Sequence, residues 1–134
     1  MRSSLAVSLA IAGSIWAIAV VDAYAHHSFA AQFDRDRPVK LMGTVTEMKW
    51  SNPHAWIYID VADAEGKIVN WALETRAANN LIRLGWRRED LPVGSTLEVD
   101  GWQARNGTPT ASIKTVIFAD GRSLFVGSPE QSAQ

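Results

Sequence analysis

The chain has 134 residues, and its 13 basic and 14 acidic side chains give a formal charge of −1, which leaves no excess of cations for a nucleic acid or an anionic membrane surface. It contains no cysteine, so stability rests on packing alone and thiol chemistry is excluded. Hydrophobic residues make up 47% and six residues are tryptophan, a large apolar payload for one small core.

The first element is a leader. Met1-Arg2-Ser3-Ser4 carries one positive charge, Leu5 to Val21 is apolar apart from Ser and Gly, and Ala23-Tyr24-Ala25 ends in a small-x-small pattern. That order is the signature of a signal peptide cleaved after Ala25. The apolar run is shorter and more diluted than the roughly 20 strongly apolar residues of a spanning helix. Residues 1–25 are therefore expected to be removed on export, to the periplasm or beyond, with no membrane span left behind. An uncleaved N-terminal anchor is the alternative, and it also places the domain outside the cytoplasm. After cleavage 109 residues remain, with 12 basic and 13 acidic groups, a single domain starting at His26.

Residues 26–38 read as an N-terminal arm, because Asp34-Arg35-Asp36-Arg37 followed by Pro38 is a poor start for regular structure. From Val39 the apolar period becomes two: Val39, Leu41, Gly43 and Val45 alternate with polar neighbours. The parity then slips at Met48 and Trp50, which predicts a bulge or sharp coil, with Gly43 a candidate for the bend. Ser51-Asn52-Pro53 is a turn. A second strand runs from Ala55 to Val61, with Ile57, Ile59 and Val61 on one face and Trp56, Tyr58 and Asp60 on the other. Asp63 to Lys67 is a hairpin loop, and Ile68 to Thr75 a third strand with Val69, Trp71 and Leu73 on one side.

Ala77 to Leu84 suits two helical turns stopped by Gly85. Leu91-Pro92-Val93-Gly94 turns the chain into a fourth strand, Thr96 to Trp102. Arg105-Asn106-Gly107 turns it into a fifth, Thr110 to Phe118. Asp120-Gly121 leads to a short extension at Leu124-Phe125-Val126, and the polar residues 127–134 are expected to be a flexible tail. Three strands, a helix and two strands is the order of a small five-stranded OB-like Greek-key barrel, here over residues 39–126 with one short helix between strands three and four. A split barrel or an open sandwich of the same strands is the other arrangement.

Ala25-His26-His27-Ser28-Phe29, Gly43-Thr44-Val45, Trp50 to Ile57 (Trp-Ser-Asn-Pro-His-Ala-Trp-Ile), Asn70 to Glu74 (Asn-Trp-Ala-Leu-Glu) and Asp120-Gly121-Arg122 resemble the family known as domain of unknown function 6152. Its members are short exported bacterial proteins. The double histidine and the Asn-Pro-His-Ala-Trp stretch are the most specific parts, and the resemblance spans nearly all of the chain after the leader. It implies export and a compact β domain. It implies no activity, ligand or catalytic residue.

Chemistry must come from the residues. The histidines are His26, His27 and His54. Cleavage after Ala25 would make His26 the mature N-terminus, where an α-amine and an imidazole on one residue form a bidentate nitrogen chelate. His27 adds a second imidazole, and His54 a third from across the fold. Such a donor set favours copper(II), then zinc or nickel. The plainer reading is a solvated arm and a turn histidine bonded to backbone. Met42, Met48, Trp50 and His54 form a second constellation, suited to copper(I) through thioether and indole; the plainer reading is that both methionines fill gaps in the core. The aromatics are the third. Trp56, Tyr58 and Trp71 lie over strands two and three, where OB folds take ligands by stacking.

Nucleophile elbows, zinc-protease helices and phosphate loops are missing from the sequence. Asp60, Glu74 and Asp100 are strand carboxylates that alternation puts on polar faces. The sequence therefore predicts a non-enzymatic exported binding module for a small ligand or a periplasmic protein, with Trp56, Tyr58 and Trp71 near the contact surface. The alternative is a copper-binding protein using His26, His27 and His54.

Overall fold

The computed structural model describes residues 29–127, so the leader, His26, His27 and the tail from Ser128 lie outside the described residues. The protein is mainly β. Its elements are β1 (Phe33–Lys49), β2 (Trp56–Ala62), β3 (Ile68–Glu74), α1 (Ala78–Arg83), a 3-10 turn (Arg88–Asp90), β4 (Thr96–Ala104), β5 (Thr110–Phe118) and β6 (Ser123–Phe125). The helix falls between the third and fourth strands, as the pattern predicts. The strand count is six, because the expected C-terminal extension pairs with β5 through Val116–Leu124 and Thr115–Phe125.

The sheet order is β3-β2-β1-β4-β5-β6, with a further pairing of β3 to β5. That pairing is parallel, Leu73 against Ala111, and the others are antiparallel. Alternation fills the interior with Ile57 and Ile59 of β2, Leu73 of β3 and Leu97 and Val99 of β4, and on β5 with Ile113 and Val116, whose parity changes across a register shift at Lys114. The helix is short and has no side-chain N-cap. Tertiary burial holds it instead, through Ala78 and Leu81, with Trp86 beyond it also buried. Gly85, at φ 92°, takes the left-handed conformation that ends it. Among the described residues no helix is long and apolar enough to cross a membrane.

Two expectations about β1 need correction. The strand starts at Phe33, not Val39, so residues 33–38 of the supposed arm are sheet. Phe33 pairs with Ala104 and Pro38 with Trp102, and the register shifts between them. The charged run Asp34 to Arg37 sits within that irregularity, where its side chains reach water. The parity slip is also present, but not at Gly43. Val45 pairs with Ile59 and Glu47 with Tyr58, so Thr46 is the extra residue. Gly43 serves close approach: a Cβ there would lie 2.5 Å from the Asp60 carbonyl oxygen.

Residues 29–32 are helical and dock on the end of β4. Phe29 stacks on Phe33 at 5.4 Å and meets Trp102 edge-on at 5.7 Å. The Arg105 amide donates to the Gln32 carbonyl at 2.9 Å, and Arg105 Nε donates to the Ala30 carbonyl at 2.6 Å. Full burial of a Phe side chain is worth about 1.5–3 kcal/mol, and both Phe29 and Phe33 are buried. The start of the described chain is thus fastened to the sheet.

Candidate functional site

The site is built where β2 begins and β3 ends. Counting back from the hairpin, the register sets Trp56 opposite Glu74. Directly opposed residues share a face, and His54 lies two residues before Trp56. Backbone bonds fix both sides of this corner. The Ala55 amide donates to the Arg76 carbonyl at 3.0 Å, and the Thr75 amide donates to the Ala55 carbonyl at 3.0 Å. Thr75 Oγ1 donates to that same carbonyl at 2.9 Å. Ser51 Oγ closes the turn by donating to the His54 carbonyl at 2.6 Å. The Asn52–Pro53 bond within the turn is cis.

His54 Nδ1 lies 2.9 Å from Glu74 Oε1 and 3.0 Å from the Thr75 carbonyl oxygen. Two acceptors face this one nitrogen, so Nδ1 carries the proton. In the neutral ring Nε2 is then left with a lone pair. The Glu74 side chain is 11% exposed and that of His54 51%: the carboxylate is sunk in the wall and the imidazole stands out from it. The hydrogen bond that His54 donates to Glu74 holds its pKa above the ordinary value, against partial desolvation.

Two cavities share Gln32, Phe33, His54 and Glu74 in their walls. The smaller, ≈ 190 Å³, is completed by Phe29, Asn80, Val126 and others. The wider, ≈ 620 Å³, adds Trp56, Arg105, Thr108 and Thr110. The imidazole therefore stands between a smaller recess and a more open groove, each lined by both apolar and polar side chains. Such a neutral ring can accept a hydrogen bond, take a proton or bind a metal ion through Nε2.

The residues singled out in the sequence do not all meet here. His54 and Trp56 do. Tyr58 is on the same outer face but lies under the Lys49 ammonium, 4.8 Å from its ring centre, so it is not an open stacking platform. Trp71 pairs with Ile59 and packs against the core, on the opposite face of the sheet from Trp56. The expected surface of three aromatics thus reduces to Trp56. The thioether constellation separates for a related reason. Met48 and Trp50 pack against the core, but Met42, expected there too, is 64% exposed, because the extra residue Thr46 reverses the parity between the methionines. His26 and His27 lie outside the described residues. Among the described residues no three His, Cys, Asp or Glu side chains converge as a metal site.

Glu74 is the residue that sequence reasoning missed as a site member. Its alternation marked only a polar face. The signal was there, since the loop Asp63 to Lys67 makes Ala62 and Ile68 partners, and counting outward brings Glu74 to Trp56.

The model of a family of unknown function, DUF6152, matches residues 15–113. No curated protein and no solved structure matches the chain.

Proposed function

The chain belongs to the DUF6152 family of unknown function, and we propose that it is an exported, non-catalytic binding module with its ligand site at the His54–Glu74 corner. One observation carries this reading: a half-exposed imidazole, oriented by a nearly buried carboxylate, stands where two cavities meet and beside Trp56. Ligand sites combine an apolar wall with a few fixed polar groups in this way.

The scaffold is best read as an OB-like Greek-key barrel. Support comes from the pairings, in which β1 pairs with β2, β2 with β3, β3 with β5, β5 with β4 and β4 with β1, so that these five strands have neighbours on both sides. β6 is then an edge addition to β5. Export rests on the charged start, apolar run and Ala-Tyr-Ala end of residues 1–25. Binding is favoured over catalysis because the chain has no cysteine and no nucleophile motif.

The test is protein-observed NMR with a library of small polar and aromatic fragments. Fragments that bind should shift the amides of Gln32, His54, Trp56, Glu74 and Arg105 first. Shifts concentrated on another face, or none at millimolar fragment, would refute the assignment.

A further inference from the structure

We propose that the His54–Glu74 corner takes a neutral saccharide, whose hydroxyl groups donate to Glu74 Oε2 and His54 Nε2 while the apolar face of its ring rests on Trp56. This rests on reading the corner as a binding site and names the chemical class that it takes.

The polar atoms left over at the corner are acceptors. His54 Nδ1 serves Glu74 Oε1 and the Thr75 carbonyl, and the neutral ring keeps a lone pair on Nε2. Glu74 is 8% exposed, yet among the described residues its carboxylate is bonded only through Oε1. It lines both cavities, and its other oxygen is not one of the sealed, unpartnered atoms of the interior, so Oε2 opens on the cavity. Ser112 stands beside it. The parallel pairing sets Ser112 against Glu74. Its hydroxyl belongs to a residue 5% exposed, makes no side-chain bond among the described residues and lines the recess. Buried polar atoms are normally satisfied, and only what enters the cavity reaches these.

Charge narrows the ligand. An anion meets the Glu74 carboxylate and finds Arg105 already committed to Asp34 at 3.5 Å. A cation suits Glu74, but Arg76 stands in the recess wall, and a protonated His54 adds a second positive charge. A neutral hydroxyl meets neither penalty, and it donates and accepts at once. Gln32 and Asn80 bring side-chain amides to the same recess, the mixed donors and acceptors that a ring of hydroxyls needs. The apolar side is Trp56, which sits opposite Glu74 on β2 and lines the groove. The face of an indole is electron-rich, so it attracts the weakly positive C–H bonds on the flat face of a sugar ring. The groove, at ≈ 620 Å³, falls within the roughly 300–1,000 Å³ of small-molecule sites.

The experiment adds glucose, N-acetylglucosamine, maltotriose and cellotriose in turn to isotope-labelled protein expressed from the full-length chain and follows its amide spectrum. Benzoate and benzylamine serve as the anionic and cationic aromatic controls. At least one saccharide should shift the Gln32, His54, Trp56, Glu74 and Ser112 amides along a saturable millimolar curve, more tightly than either control. Glu74→Gln should weaken it about tenfold, the loss expected for a hydrogen bond to a charged acceptor. Trp56→Ala should abolish it. Ser112→Ala, which removes one buried hydroxyl and keeps every charge, should weaken it a few-fold, and the spectrum of each variant reports its fold. Saccharide affinity unchanged by Glu74→Gln and Trp56→Ala would overturn the proposal, as would tighter binding of benzoate or benzylamine. Saccharides that leave the spectrum unchanged while aromatic fragments still shift Trp56 and Glu74 would refute the class of ligand but keep the site. Silence from both would remove the site itself.

Discussion

His54 Nδ1 and Glu74 Oε1 lie 2.9 Å apart, joining the turn before β2 to the last residue of β3. The pair has a pH signature. The hydrogen bond to Glu74 raises the folded-state pKa of His54 above its unfolded value near ~6.5. Its contribution to stability is then complete below about pH 6.5 and is lost as pH rises through the raised value. The imidazole is half exposed, so solvent screening keeps that contribution to at most about 1 kcal/mol. In chelator-treated protein, an NMR titration should give His54 a midpoint above the ordinary histidine value, and Glu74→Gln should return it toward that value. A midpoint unmoved by Glu74→Gln would show that the carboxylate does not hold the ring.

Trp56 and Trp71 should part in their effects. Trp71 packs against the core, so Trp71→Ala should cost about 2–3 kcal/mol, at or below the range for full burial. Trp56 lines the open groove, and Trp56→Ala should cost about 1 kcal/mol or less while abolishing fragment-induced shifts at Glu74. Urea midpoints and the NMR screen read the two effects separately. Equal destabilisation by both would contradict the assignment of faces.

Close backbone approach makes two glycines irreplaceable. A Cβ at Gly43 would press on the Asp60 carbonyl, and one at Gly101 on the Ser112 carbonyl. Neither carbonyl can move without disturbing a strand pairing. Gly43→Ala and Gly101→Ala should each destabilise by about 1–3 kcal/mol. An unchanged thermal midpoint for either would mean the strands are farther apart than described.

The Phe29 anchor should be a local unit. It belongs to a small cluster with Phe33 and Ala104, separate from the main core. Phe29→Ala should speed hydrogen exchange at the Arg105 amide, which donates to Gln32, at least tenfold. Exchange at Val99, inside the main core, should stay as it was, since opening of a weakly held segment need not involve global unfolding. Uniform acceleration at both amides would make the segment part of the global unit.

Much of the architecture is legible in the sequence because alternation carries it. Ile57, Ile59, Leu73, Leu97 and Val99 sit on the inward parity and are buried, and Gly, Asn and Pro mark the turns. The start of β1 was not legible. A run of four charges and a proline carries no periodic signal, and only the partner residues Ala104 and Trp102 across the sheet make that segment a strand. At the site, His54 and Trp56 stood out by type and spacing. Glu74 did not, since its role depends on pairing with a different strand. The covering of Tyr58 by Lys49 was equally hidden, because it joins outer faces across β1 and β2.

The central claim is that His54 presents a lone pair at Nε2 because Glu74 and the Thr75 carbonyl hold the proton on Nδ1. Long-range proton–nitrogen NMR on metal-free protein, at a pH where His54 is neutral, reads this directly. The protein should show the Nδ1–H tautomer, the reverse of the form a free histidine side chain favours in water. A His54 ring protonated on Nε2 would contradict the account.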